Sequence, residues 1–478
     1  MSDLLLQSAN SMNIYRRALD VTGNNITNVN TEGYSRTRLT VVENPPTFTG
    51  KNAVGLGARS TDVYRGYHNF VSEQLQKAGS YFSKYSAIDT LSSQLNQLFP
   101  DGKSLLETGF DQYFSTWQTL ANDPMNTSAK AAVLNTQSVL QDRMNITNQS
   151  LQSLQQEVNK KISNAVDKIN SLAKQLVDNN NKLSKTGKED SQAKNNLLDT
   201  RDQLMKEMNQ LVDAKLFDHG NDQIDLYIND TKISLITDNR AIELQALPNE
   251  YGKGLQKNTQ LDVWIQQPGT GEMRNISGLA TGGELAGLVS FRDGLLNRVQ
   301  DELGLASSGV MIASNILHRQ GVDSFGNSGG DLFSSNGQSD ANFYTAFEQV
   351  AYAHDQNKGS AVLSVNIYGA NFNPNYSYDA RYQANPDLSA LQARTYLLER
   401  DLTQPSGFRL SDKRTGENIK IQSGDGSTNH PLQFEGLEVA VSSGSLRDTD
   451  KFEVRFGSDA LQQTKVMITD PQKIAYRS

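Results

Sequence analysis

The chain has 478 residues, 45 Lys plus Arg against 53 Asp plus Glu, and a net charge of -8. That length suits two or three domains rather than one sphere, and the negative balance, with no basic block, opposes coating of nucleic acid or an anionic membrane. Zero cysteines exclude disulfides, Cys-ligated zinc, iron-sulfur clusters and thiol nucleophiles. An apolar fraction of 36% is low for a compact globule and suits an elongated protein with much wetted surface.

In chain order, residues 3 to 28 predict one helix. Leu5, Met12, Leu19 and Ile26 recur every seventh position, with Ala9, Tyr15, Ala18 and Val21 beside them. A stripe this narrow wants a single partner helix, in coiled-coil fashion. The start Met1-Ser2-Asp3-Leu4-Leu5-Leu6-Gln7 carries no readable signal peptide, and no segment approaches the length of a membrane span. The helix stops at Asn28-Val29-Asn30-Thr31-Glu32-Gly33-Tyr34, where Asn and Gly tolerate the positive φ of a turn. Residues 36 to 65 read as a linker with short strands, broken by Asn44-Pro45-Pro46.

Helical patterning returns from Asn69 to Phe99, from Leu105 to Ala121 and beyond Ser128. The strongest run is Leu151, Leu154, Val158, Ile162, Ala165, Ile169, Leu172, Leu176 and Leu183. A second helix carries Leu197, Leu198, Leu204, Met205 and Leu211, and the polar stretch from Asn179 to Ser191 joins the two as an antiparallel hairpin. Between residues 222 and 247 the period becomes two, which predicts an inserted β-hairpin turning at Asn229-Asp230-Thr231-Lys232. Glu284 to Leu317 is helical again, followed by a loop to Asp331. From residue 341 onward the pattern is mainly strand: Leu363, Val365 and Ile367; Leu437, Val439 and Val441; Phe452, Val454 and Phe456; Val466 and Ile468. One helix is expected within it, Leu388 to Arg400.

The fold class expected is therefore α+β. An elongated rod of long antiparallel helices, with an inserted β-hairpin, carries an outer mainly-β domain. The divisions fall at residues 1–65 (axial helix and linker), 66–340 (rod) and 341–478 (outer domain).

Sites of chemistry are absent from the pattern, so no catalytic residue, cofactor or metal is assigned. Gly102-Lys103-Ser104 has Gln97 where a phosphate loop needs its first glycine. The loop from Asp323 to Asp331 lacks the carboxylate spacing of a calcium hand and reads as a turn closed by side-chain-to-backbone bonds. His68, His219, His318, His354 and His430 are scattered, and Glu189-Asp190 reads as a solvated loop pair.

From Ala18 to Arg36 the chain resembles the N-terminal signature shared by the flagellar axial proteins, the rod, hook and junction subunits. Gly23, Asn24, Asn25, Ile26, Asn28, Asn30, Thr31, Gly33 and Tyr34 carry it, and the ending Gly33-Tyr34-Ser35-Arg36 is most similar to the junction members. Further segments resemble that branch: Asn195 to Leu204, Gly282 to Asp293, His318 to Phe333, Phe434-Glu435-Gly436-Leu437, and Asp470 to Ala475.

The resemblance implies a structural subunit at the junction of hook and filament, extracellular, exported unfolded through the flagellar type III channel. It implies self-assembly into a ring by helix packing along Leu5, Met12, Leu19 and Ile26. Hook protein would lie below, and a second junction protein or filament subunits above. In that family the N-terminal helix pairs with a helix at the extreme C-terminus, where an export chaperone is also expected. Here the sequence stops at Ser478 with no heptads left, so the expectation is a body without its closing segment, by truncation or by nature. Three alternatives remain open. One is another hook or rod protein, one an extracellular adhesin, and one a wall hydrolase whose cleft would have to be built from carboxylates such as Glu435, Glu438 and Glu453, which the alternation places at the surface.

Overall fold

A computed structural model describes residues 2–49, 52–54, 56–66, 69–99, 105–187, 191–219, 224–228, 231, 233–251, 260–267, 269–334, 351–368, 388–456 and 464–476. The expected turn residues Asn229, Asp230 and Lys232, the segment Gly102-Lys103-Ser104, His68, the pair Glu189-Asp190 and residues 341–350 lie outside these.

The chain opens with helix α1 (Ser2–Thr27) and the strand β1 (Thr37–Glu43). Strands β2 (Thr47–Thr49) and β3 (Asn52–Val54) pair with each other, and β4 (Ala58–Arg65) returns antiparallel to β1. Helices α2 (Asn69–Asn96), α3 (Leu105–Asn122), α4 (Thr127–Lys185) and α5 (Ser191–Leu211) follow. The 59-residue α4 starts where Asn126 Oδ1 accepts the Ala129 N–H, an N-cap. It ends with Lys182 and Lys185, cations that suit the negative end of the helix dipole. Leu151 to Leu183, the run singled out by its spacing, is the buried face of α4.

The expected β-insertion is larger than one hairpin. β5 (Ala214–Asp218), β6 (Ile224–Ile228), β7 (Ser234–Thr237) and β8 (Arg240–Ala241) form a four-stranded meander. Its last turn has Asp238 and Asn239 both at positive φ, the mirror-image turn that matches strand twist. β9 (Leu244–Pro248), β10 (Leu261–Gln266) and β11 (Met273–Asn275) form a second sheet in the order β11-β10-β9. Helix α6 (Gly283–Ser290), a π-helical stretch Phe291–Leu296 and α7 (Asn297–Arg319) then run on.

The strands β12 (Phe333–Ser334), β13 (Ala351–Ala353), β14 (Val362–Ile367), β15 (Tyr396–Arg400), β16 (Phe408–Asp412), β17 (Leu432–Phe434), β18 (Leu437–Ser443), β19 (Lys451–Val454) and β20 (Lys465–Val466) complete the chain. Their sheets are β13-β19-β15-β16, β14-β18-β17 and β12-β20. The helix expected from Leu388 to Arg400 is not there. Only Leu388–Ala390 makes a 3-10 turn, and residues 396–400 are β15. Pairing with both β16 and β19 buries Tyr396 and Leu398, and tertiary context outweighs a local propensity that small. Phe456 and Ile468 lie beyond the strands assigned to them.

The chain forms two compact units. One comprises Met1–Ala87, Ile162–Ala246 and Val263–Leu288, the other Ile88–Lys161, Leu247–Asp262 and Val289–Ser478. Within the second, helices and strands share one core, with Tyr113, Leu140 and Met311 in the same cluster as Val365, Tyr396 and Phe452.

Candidate functional site

In the first unit α1 is held by its less apolar side. Gln7, Ser11, Ile14, Ala18, Val21 and Asn25 are half-buried, and Arg17 Nη1 donates to Ser60 Oγ of β4 at 3.0 Å. At 100° per residue these positions lie opposite Leu5, Met12, Leu19 and Ile26. Those four are 72%, 73%, 71% and 69% exposed. The helix therefore stands with its apolar seam turned outward.

Asn25 fixes the base of this helix. Its Oδ1 accepts the Thr37 N–H and the Tyr34 hydroxyl, each at 2.9 Å, while its Nδ2 donates to Thr37 O at 2.9 Å. One amide thereby replaces a strand partner at the edge of β1. Asn28 closes the helix, its Nδ2 donating to Asn24 O at 3.0 Å and Asn24 Oδ1 at 2.7 Å. Thr31 then donates to Asn28 Oδ1 at 3.2 Å. Gly33, at φ +81° and with Gln203 beside it, completes the turn in a conformation that L-residues avoid.

The turn and hairpin are bolted to α5. Arg65 Nη1 meets Asp199 Oδ1 at 2.8 Å and Asp202 Oδ2 at 2.6 Å, with only 8% of its side chain exposed. Asp199 Oδ2 accepts the Ser35 N–H at 3.1 Å, and Asn195 Nδ2 donates to Val63 O at 2.8 Å. Burial pushes the Asp202 carboxyl upward despite Arg65, so the guanidinium is needed to keep this pair of acids docked. Lys206 reaches Glu32 at 2.7 Å across the exposed rim.

In the second unit the segment His318 to Phe333 meets the C-terminal Asp470 to Ala475. His318 Nδ1 donates to Gly330 O at 2.7 Å and its Nε2 accepts the Ala475 N–H at 2.8 Å. Both ring nitrogens are used in the neutral form, and burial lowers the pKa. Buried Asn315 accepts the N–H groups of Leu332 and Phe333 and donates to Phe333 O at 2.8 Å. The loop Asp323 to Asp331 is the turn expected: Asp323 Oδ1 accepts the Phe325 and Asn327 N–H groups, each at 2.8 Å.

The carboxylates named for a hydrolytic cleft need correction. Glu438 and Glu453 are buried rather than surface-facing. Glu453 sits on β19 between β13 and β15, so both edges of its strand are paired. A cleft of about 440 Å³ is lined by Asp301, Arg394, Asp412, Lys413, Glu453 and Arg455 among others. Burial alone would raise the Glu453 pKa, but Arg455 and Lys413, the latter at 2.7 Å, hold it below the ordinary value. A glycosidase acid must keep its proton near neutrality, which is the opposite arrangement. Glu435 is in a two-residue turn at positive φ with Gly436 and accepts the Tyr396 hydroxyl at 2.8 Å. Among the described residues no group of three or more His, Asp or Glu side chains is placed to hold a metal ion.

The family model described as "Flagellar hook-associated protein FlgK helical domain" matches residues 92–333, just over half of the chain. This chain belongs to the FlgK family of flagellar hook-associated proteins. A second model, "Flagella basal body rod protein", matches residues 5–34, the outward-facing helix and its turn. The chain is similar along its whole length to flagellar hook-associated protein 1 of Escherichia coli K12, 27% identical over 482 residues, and spans 80% of that relative. The Salmonella typhimurium counterpart is 26% identical over 480 residues, with 79% of it covered. The Bacillus subtilis one is 23% identical over 359 residues. The solved flagellar hook junction protein FlgK from Burkholderia pseudomallei shares the fold. Its TM-score is 0.69 at 24% identity, covering 84% of this chain and 66% of that one.

Of the signature residues, Asn24, Asn25, Asn28, Thr31, Gly33 and Tyr34 converge on the base of α1, whereas Gly23, Ile26 and Asn30 are exposed. The structure adds Arg65, Asn195, Asp199 and Asp202 as the dock for that base. For Asn195, Asp199 and Asp202 the signal was already present in the FlgK-like segment Asn195 to Leu204, without a reason attached to it, whereas Arg65 carried none.

Proposed function

We propose that this FlgK-family chain is a structural subunit of the flagellum that joins hook to filament outside the cell. The observation that carries the reading is the outward seam of α1. A helix anchored by Asn25 and its polar side, with Leu5, Met12, Leu19 and Ile26 in water, is incomplete until another helix covers it. Its role is structural: helix packing between neighbours supplies the binding energy, and many weak contacts act together in a closed ring.

The ring would stand on hook protein and carry a second junction protein or filament subunits above. Passage unfolded through the type III channel suits a chain with no disulfide to make or break. Residues 1–65, 66–340 and 341–478 would serve as axial, rod and outer segments. Deleting the gene tests the reading. Cells with hooks but no filaments are expected; loss of the hooks themselves, or normal filaments, would overturn it in favour of a rod or hook protein or an adhesin.

A further inference from the structure

The FlgK-like run Asp470 to Ala475, with Tyr476, lies as a strap over the turn that follows α7. Val322 N–H donates to Tyr476 O at 2.9 Å and Tyr476 N–H returns to Val322 O at 3.1 Å, while Ser324 N–H donates to Gln472 O at 3.0 Å. Asp470 opens the strap by accepting the Gln472 N–H at 2.9 Å. Ile474 and Ala475 are buried. Gly321 and Gly329 leave them their space: a Cβ on Gly329 would lie 2.8 Å from the Ala475 Cβ, and one on Gly321 would lie 2.9 Å from Tyr476 N. Lys130 Nζ stands over the Tyr476 ring at 4.6 Å.

His318 joins the backbone of this strap to α7. Ala475 N–H can act as a donor alone, so His318 Nε2 must accept it, at 2.8 Å, and Nδ1 must carry the ring proton toward Gly330 O at 2.7 Å. A second proton has one place to go, Nε2, where it meets the Ala475 N–H, donor against donor. Turning the ring over sets carbons against both partners. Trp117, edge-on at 6.3 Å, and nearly complete burial leave the ring little room to swing aside. The strap is the side that yields, because it adds Ile474 and Ala475 to the core, whereas α7 is rooted there by Met311 and Ile312 and runs on for 23 residues.

The groups around the ring pull in both directions. Asp331 and Asp323, in the loop after α7, favour the extra proton. Asp331 is paired with Arg319 at 2.7 Å, and Asp323 accepts the N–H groups of its own turn. From α4 comes Lys130, 2.8 Å from Ser324 Oγ, and from α3 come Trp117 and neutral Tyr113. The strap itself adds Asp470, spent on its cap, and exposed Lys473. Burial outweighs the two acids and favours the neutral ring.

We propose that His318 is a proton-operated catch: neutral, it holds residues 470–476 against the turn after α7, and protonated, it releases them while the rest of this unit stays folded. The proposal does not depend on the junction reading. With the strap open the ring regains its ordinary 6.5, so each pH unit below that value favours the open form about tenfold.

Amide hydrogen exchange of the native chain, read by mass spectrometry and divided by the intrinsic rate at each pH, tests this. Exchange in residues 470–476 is expected to rise about tenfold between pH 7.5 and 5.5, with β18 unchanged. The slow C2–H exchange of the His318 imidazole, followed in the same chain, reports its protonation, and the midpoint is expected below the ordinary value. His318→Gln is expected to abolish the pH dependence of the strap. Strap exchange that stays constant to pH 5.5, a protonated His318 beneath a strap still protected, a pH dependence that survives in His318→Gln, or strap and β18 opening together would overturn the proposal.

Discussion

The Tyr34 hydroxyl donates to the same Asn25 oxygen that accepts the Thr37 backbone N–H, both at 2.9 Å. A single side-chain amide thus ties a helix end, a turn and a strand start together. Replacing Asn25 by Ala leaves a strand N–H and a phenol without their acceptor, at a cost of about 1–3 kcal/mol. Tyr34→Phe removes one bond and costs about 1 kcal/mol. Limited proteolysis at residues 28–37 is the readout, with cleavage faster in Asn25→Ala than in Tyr34→Phe.

Arg65 serves two carboxylates in a nearly closed setting. Arg65→Met strands Asp199 and Asp202 beside each other, and the expected loss is about 3 kcal/mol, typical of breaking a buried ion pair. Asp202→Asn in the same background is expected to recover part of it. Urea midpoints of the three variants measure this, and an additive double variant would refute the coupling.

Changing Leu5, Met12, Leu19 and Ile26 together to Gln removes apolar surface that already faces water. Each such change is expected to alter the unfolding free energy by about 0.5 kcal/mol or less. Filament formation in a complemented deletion strain is expected to fail. A variant that melts early would place the seam in the fold instead.

His318 is buried in its neutral form, with a pKa below its ordinary 6.5. The unfolded chain therefore takes up this proton first as pH falls. The contribution of neutral His318 is complete above pH 6.5 and is lost progressively as pH drops below it. Denaturation midpoints between pH 8 and about 5 are expected to fall more steeply in the native chain than in His318→Gln.

At Gly329 a Cβ would lie 2.0 Å from the His318 carbonyl oxygen. Backbone cannot yield as a side chain can, so Gly329→Ala is expected to cost about 2–4 kcal/mol, beyond ordinary surface changes. Gly330, with nothing near its Cβ position, provides the matched control: Gly330→Ala should leave the melting temperature nearly unchanged.

Periodicity made the long helices legible because a buried face must repeat at the helical pitch, and the Leu151 to Leu183 run is buried throughout. It also marked the seam of α1, since an uncovered heptad stripe looks the same in sequence whether its partner is present or not. The same spacing was available from Val71 to Tyr85, but one amphipathic helix among several carries no sign of which side a fold will cover. Only the packing of α2 by Ser80 and its small neighbours settled that.

The β region shows the converse. Glu438 and Glu453 look solvated from alternation, yet strands on both sides and the cations Lys413 and Arg455 enclose Glu453. Leu388 to Arg400 looks helical until β16 and β19 claim its second half.

Sequence by itself determined the composition without thiols, the helical rhythm and the family signature, because each resides in local residue order. Which face of each helix is buried was decided by tertiary structure. So was the way Asn25, Arg65, Asp199 and Asp202, far apart in the chain, close one joint. Contacts across more than a hundred residues have no periodic trace for a sequence to show.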